Sequence, residues 1–176
     1  MPWRGVCSAM NLFLLRHGLA VEREEFDFAS DHLRPLTPKG KRQLNKISAA
    51  MRVSELRFHV ILSSPLVRAR QTAKIVAADL KLREQLVFAD ELKPGGDLKK
   101  LVSRILGLKK IPENILLVGH EPDLSELISL LVTGKVGTGF ALKKGGLAKL
   151  EIENLRAGKC AALAWLLTPV QMKLLA

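Results

Sequence analysis

The chain has 176 residues and a formal charge of +11 at pH 7, from 28 Lys and Arg against 17 Asp and Glu, with 48% hydrophobic residues, 8 Pro and 13 Gly. A chain of this length can bury a sizeable core without disulfides, and its composition is neither that of a fibre nor that of a disordered tail. Cys7 and Cys160 form no C-x-x-C pair, no apolar run nears the ~20 residues of a membrane span, and residues 1–9 lack the apolar stretch of a signal peptide, so a reducing cytoplasm is the expected compartment.

Met10 stands directly before the first strand-like run, so residues 1–9 are expected to be an extension and residues 10–176 one domain. Asn11-Leu-Phe-Leu-Leu-Arg16 is a short apolar run without helical spacing, the pattern of a buried strand. Thr37-Pro38 reads as N-cap and first helical residue, and Leu44, Ile47 and Met51 recur at helical spacing behind it. Val60–Ser63 reads as a second buried strand. Ser64-Pro65 then reads as the cap and first turn of a helix whose inner face is Ala69, Ala73, Val76, Ala77 and Leu80.

A short strand is predicted over Leu86–Phe88, and a turn at Lys93–Asp97 leads into an amphipathic helix over Leu98–Leu106. Ile115–Val118 is the clearest parallel-type strand. It ends at Gly119-His120-Glu121-Pro122, with a helix over Asp123–Val132 behind it. Five of the 13 glycines fall between Gly134 and Gly146, marking a loop before two final strands, about Leu147–Ile152 and Cys160–Leu166. Strands alternating with helices imply an α/β fold with a mostly parallel sheet covered on both faces.

In such sheets ligands bind beyond the carboxyl ends of the strands. Arg16 and His17 follow the first strand, Arg68 follows the second by a few residues, and His120 follows the fourth. Each alone is explained as an ordinary structural residue, but two arginines and two histidines at one edge make an anion site containing a potential nucleophile. Phosphoryl chemistry uses all four. Its oxygens take forked donors from Arg16 and Arg68, a neutral imidazole attacks phosphorus in line, and a second histidine stabilises the transferring charge.

Leu15-Arg-His-Gly18 resembles the R-H-G signature of the histidine phosphatase (phosphoglycerate mutase-like) superfamily. Ser63-Ser-Pro-Leu-Val-Arg-Ala-Arg-Gln-Thr-Ala73 is similar to its second-arginine motif, and Val118-Gly-His-Glu-Pro122 to that of its second histidine. Leu33-Arg-Pro-Leu-Thr-Pro-Lys-Gly40, Glu91-Leu-Lys-Pro-Gly-Gly-Asp97 and the short length look most like the SixA-type phosphohistidine phosphatases. The resemblance implies a three-layer α/β/α sandwich without a large cap insertion. It also implies His17 as nucleophile, Arg16 and Arg68 as phosphate clamps and His120 as the second pocket histidine. Arg34 is either a further phosphate contact or a surface loop residue. Glu91 is either a general acid or a capping or salt-bridging residue.

No cysteine-phosphatase loop, nucleotide fingerprint or metal-site spacing is present, so neither cofactor nor metal is expected. The substrate expected is a phosphorylated protein, such as a phosphotransfer domain, through a phosphohistidine enzyme intermediate. A small phosphate ester is the alternative, and a non-catalytic polyanion-binding protein a third reading. Residues 34–110 hold 18 basic and 6 acidic groups, a local +12, yet no run of five cations occurs and 6 Phe, 2 Trp and no Tyr leave little for base stacking. Neither nucleic acid nor membrane is therefore expected as a partner.

Overall fold

The computed structural model describes residues 10–22, 28–137 and 139–175. The expected extension, residues 1–9, lies outside them. Six strands form one sheet: β1 (Met10–Arg16), β2 (Val60–Ser63), β3 (Leu86–Phe88), β4 (Asn114–Gly119), β5 (Leu147–Ile152) and β6 (Ala161–Leu167), in the order β3-β2-β4-β1-β5-β6. The pairs β1–β4, β2–β4 and β2–β3 are parallel, whereas β5 runs antiparallel to both β1 and β6. The helices are α1 (Pro38–Val53), α2 (Val67–Asp79), α3 (Leu98–Leu106), α4 (Asp123–Thr133) and α5 (Pro169–Lys173).

Both faces of the sheet are buried, and the strand pleat sorts the side chains between them. Leu12 and Leu14 join Leu117, Leu124, Ile128 and Ile105 on the side of α3 and α4. Phe13 and Leu15 join Leu44, Ile47, Ala73 and Val76 on the side of α1 and α2. That double burial is why β1 reads as a continuous apolar run rather than an alternating one.

Helix α1 starts as the sequence requires, with the Thr37 hydroxyl accepting from the Gly40 amide at 3.0 Å. Helix α2 does not. It begins at Val67 behind an uncapped Leu66, and the Ser64 hydroxyl accepts from the Leu66 amide at 3.3 Å, ahead of the first turn. The sequence reading also passed over α5, although Thr168-Pro169 repeats the Thr37-Pro38 signature and forms a capping box with Gln171.

Gly40 lets the first turn of α1 press against the segment after β1. A Cβ there would stand 2.1 Å from the Leu19 carbonyl oxygen, which also accepts from the Thr37 amide at 2.9 Å. Gly40→Ala gains up to ~1 kcal/mol of helix propensity, but the overlap forces α1 off the chain that carries His17. A net loss of about 1–3 kcal/mol is expected, read as a lower urea midpoint at unchanged m-value.

Candidate active site

The parallel register fixes the heart of the site. Arg16, the last residue of β1, lies beside Gly119, the last of β4, so His17 and His120 leave neighbouring strands side by side. Their ring centroids are 5.1 Å apart. Strand β2 ends one pair earlier, with Ser63 beside Val118, and the Ser64 amide donates to the Val118 carbonyl at 2.9 Å. Ser64 thereby reaches His120, its Oγ lying 2.8 Å from Nε2.

His17 is 6% exposed and His120 2%. Nδ1 of His17 lies 2.8 Å from the Gly18 carbonyl oxygen. A carbonyl only accepts, so this nitrogen carries the proton and Nε2 keeps the free lone pair. Ser64 Oγ accepts from the Leu66 amide and can donate its own proton to Nε2 of His120, leaving Nδ1 of that ring as the N–H. That Nδ1 is buried with no partner, a donor awaiting an acceptor.

Burial pulls the His17 pKa down to about 3. The Gly18 hydrogen bond opposes this, and Arg68, Arg16 and Lys144 add to it. Burial, followed by His17 and Arg68, pulls that of His120 down to about 2. Both rings are neutral at pH 7. A lowered pKa in the folded state contributes stability that is complete above the unfolded value of ~6.5 and is lost as pH falls toward the folded values. Thermal stability should therefore fall on acidification below about pH 6.5. The slope should be shallower in His17→Asn, by up to ~1.4 kcal/mol per pH unit, and an equal slope in both proteins would refute the assignment.

Arg16 donates from Nη1 to the Leu142 carbonyl at 2.7 Å, and its buried Nε has no partner. Burial lowers its pKa, and the nearby Glu121 carboxylate opposes that. Arg68 is 4% exposed and sits in the first turn of α2, where Nη1 meets the Asp31 carbonyl at 2.9 Å and Nη2 the Asp31 carboxylate at 3.2 Å. Arg34 donates from Nε to the same carboxylate at 2.8 Å and from Nη1 to the Val21 carbonyl at 2.7 Å. Asp31 thus links Arg34 to Arg68.

Glu91, in the 3-10 turn Asp90–Leu92 after β3, pairs with Arg104 at 3.7 Å.

Several contributors lie outside the sequence motifs or carry no role in them. Asp31 and Glu121 supply countercharges to Arg68 and Arg16, so the two cations are not left uncompensated. Thr72 accepts from the Gly18 amide at 3.1 Å and donates to the Arg68 carbonyl at 2.7 Å, tying α2 to the loop after His17. The Gly145 amide donates to both the Arg16 and His17 carbonyls at 3.1 Å, which brings Lys144 alongside. Lys144 pairs with Glu22 at 3.4 Å. Only the i, i+4 spacing of Arg68 and Thr72 was available from sequence; the others depend on loops whose path no local pattern sets.

Among the described residues no group of three or more His, Cys, Asp or Glu side chains is arranged to hold a metal ion, and no helix is long and apolar enough to cross a membrane. The arrangement suits an oxyanion. A lone pair on His17, an N–H on His120 and the guanidiniums of Arg16 and Arg68 lie close enough to act on one another electrostatically.

The comparisons with known proteins agree. The model of the histidine phosphatase superfamily (branch 1) matches residues 12–94. An uncharacterised protein of Picosynechococcus sp. is 38% identical over 142 residues, covering 80% of this chain and 84% of its own. The phosphohistidine phosphatase SixA of Escherichia coli K12 is 26% identical over 166 residues, covering 94% and 98%. A solved structure of the protein histidine phosphatase SixA, complexed with tungstate, superposes with a TM-score of 0.77 at 26% identity, over 92% of this chain and 98% of that one. The fold is the phosphoglycerate mutase-like α/β fold without a large insertion, and the chain belongs to the histidine phosphatase superfamily, where it is similar to the SixA-type members.

Proposed function

We propose that this phosphatase hydrolyses phosphohistidine on a protein, without a metal ion, through a phosphorylated His17. The observation that carries the reading is the pair of buried neutral imidazoles 5.1 Å apart, one with a free lone pair and the other with an unpartnered nitrogen. Nε2 of His17 attacks phosphorus as the phosphorus–nitrogen bond of the substrate breaks, and the departing imidazole nitrogen takes up a proton from solvent. Arg16 and Arg68 hold the non-bridging oxygens, and the Nδ1–H of His120 donates to the charge spread over them. Water then attacks the phosphorylated His17, giving inorganic phosphate and the free ring.

Tungstate, present in the SixA structure, is likewise an oxyanion, and the likeness supports the same use of this cleft. Arg34 acts through Asp31, setting the fork of Arg68, and a direct phosphate contact would require it to leave that carboxylate. A phosphohistidine substrate also suits Glu91 in its pair with Arg104, because an imidazole leaving group is far less basic than an alkoxide and asks less of a general acid.

The deciding experiment compares kcat/KM on a histidine-phosphorylated protein with that on a panel of sugar and alkyl phosphates. Preference for the protein of a hundredfold or more is expected. A preference for alkyl phosphates that Glu91→Gln abolishes would instead establish the small-ester reading.

A further inference from the structure

A groove of about 230 Å³ lies between α1 and α5, lined by Lys39, Arg42, Gln43, Lys46 and Lys173. Four of its five lining residues are cations and none is a carboxylate. Lys39, Arg42 and Lys46 stand at i, i+3 and i+7, one exposed face of α1, and Lys173 is exposed on α5. None of the four forms an ion pair among the described residues. Like charges gathered this way repel one another, so the cluster raises local potential without stabilising the helix.

The groove is joined to the active site through Gly145. The Gly145 amide holds the Arg16 and His17 carbonyls, while a Cβ on it would stand 3.0 Å from Ile47, 3.6 Å from Pro169 and 3.9 Å from Gln43, itself a lining residue. One residue therefore separates the backbone of the nucleophile from the cationic groove. From Lys39 to Lys46 the groove extends about 10 Å along the axis of α1. A small phosphate ester seated at His17 does not span it.

We propose that this groove docks an acidic surface of the phosphorylated protein itself, so that the substrate is chosen by charge beside the phosphate as well as by the phosphate. The inference rests on the phosphoprotein reading above. The absence of any aromatic side chain among the lining residues favours a protein over a single-stranded nucleic acid, which needs stacking platforms. Docking of this kind acts mainly on association, through steering that salt screens.

The test uses the full chain and two triple variants, Lys39→Glu/Arg42→Glu/Lys46→Glu and the milder Lys39→Gln/Arg42→Gln/Lys46→Gln. Each is assayed on a net-acidic phosphotransfer domain phosphorylated on histidine and on free phosphohistidine, at low and at high salt. The charge-reversed protein should lose at least tenfold in kcat/KM on the domain and the neutral one several-fold, with both within twofold of wild type on free phosphohistidine. Added salt should slow the wild type on the domain, leave the neutral variant nearly unaffected and, by screening repulsion, speed the charge-reversed one.

Equal turnover of the domain by all three proteins would overturn the proposal, as would a loss shared by both substrates, which means damage to the site. Retention of a DNA duplex at ~150 mM salt by wild type but not by the variants, with turnover of the domain unchanged, would reassign the groove to nucleic acid. Failure of the wild type on any phosphohistidine protein would bring down the substrate reading and the docking with it. That failure is seen before any substitution is made, so the two are distinguishable.

Discussion

His17→Ala should reduce turnover of every phosphorylated substrate by roughly four orders of magnitude, equivalent to about 5 kcal/mol of barrier. Acid-labile label from a 32P-phosphohistidine donor should vanish from the protein. The size follows from the geometry. The Gly18 carbonyl fixes the tautomer of this ring so that Nε2 is the lone pair, and His120 cannot substitute because its Nε2 is held by Ser64. A cooperative melt of the variant separates lost chemistry from lost fold. Label retained at wild-type level would mean that another group is the nucleophile.

Substitution of Arg68 should have the second largest effect, and it should act on two properties that can be separated. Arg68→Met removes a buried guanidinium fork, and a loss of about a thousandfold in kcat/KM is expected, near 4 kcal/mol. It also takes one cation from Asp31. Breaking a buried ion pair commonly costs 3–5 kcal/mol, but Asp31 keeps Arg34 at 2.8 Å and is 19% exposed on its side chain, so a stability loss of about 1–2 kcal/mol is expected here. Adding Asp31→Asn should recover none of the activity and none of the stability, because it also takes the carboxylate from Arg34. Recovery of activity in the double variant would show that Arg68 serves the fold rather than the phosphate.

The strands were legible in the sequence because β1, β2 and β4 are buried on both faces and must be apolar throughout. Their ends were legible because Arg16-His17-Gly18 and Gly119-His120 interrupt those runs with charge and glycine. The edge at which the site forms therefore followed from topology. What pairs with what did not follow. Asp31 reaches Arg68 across 37 positions and Leu142 reaches Arg16 across 126, contacts that local patterns do not encode. Ser64 shows the opposite failure, since Ser-Pro ahead of a helical pattern is a sound capping signal. Here the hydroxyl accepts the Leu66 amide ahead of the helix and also bonds His120, and α2 begins three residues later without a side-chain cap of its own.

The register of β1 against β4 also ties catalysis to the order in which the chain assembles. His17 and His120 are 103 positions apart, and only the pairing of Arg16 with Gly119 brings them together. A slip of one residue would send one imidazole to the opposite face of the sheet. No fragment ending before β4 can hold the pair, and a collapsed intermediate with its helices formed would still be inert. Contacts this distant in sequence close slowly. During refolding, regain of the phosphorylated enzyme should therefore trail regain of helical signal, making the nucleophile a reporter of when the centre of the sheet has closed.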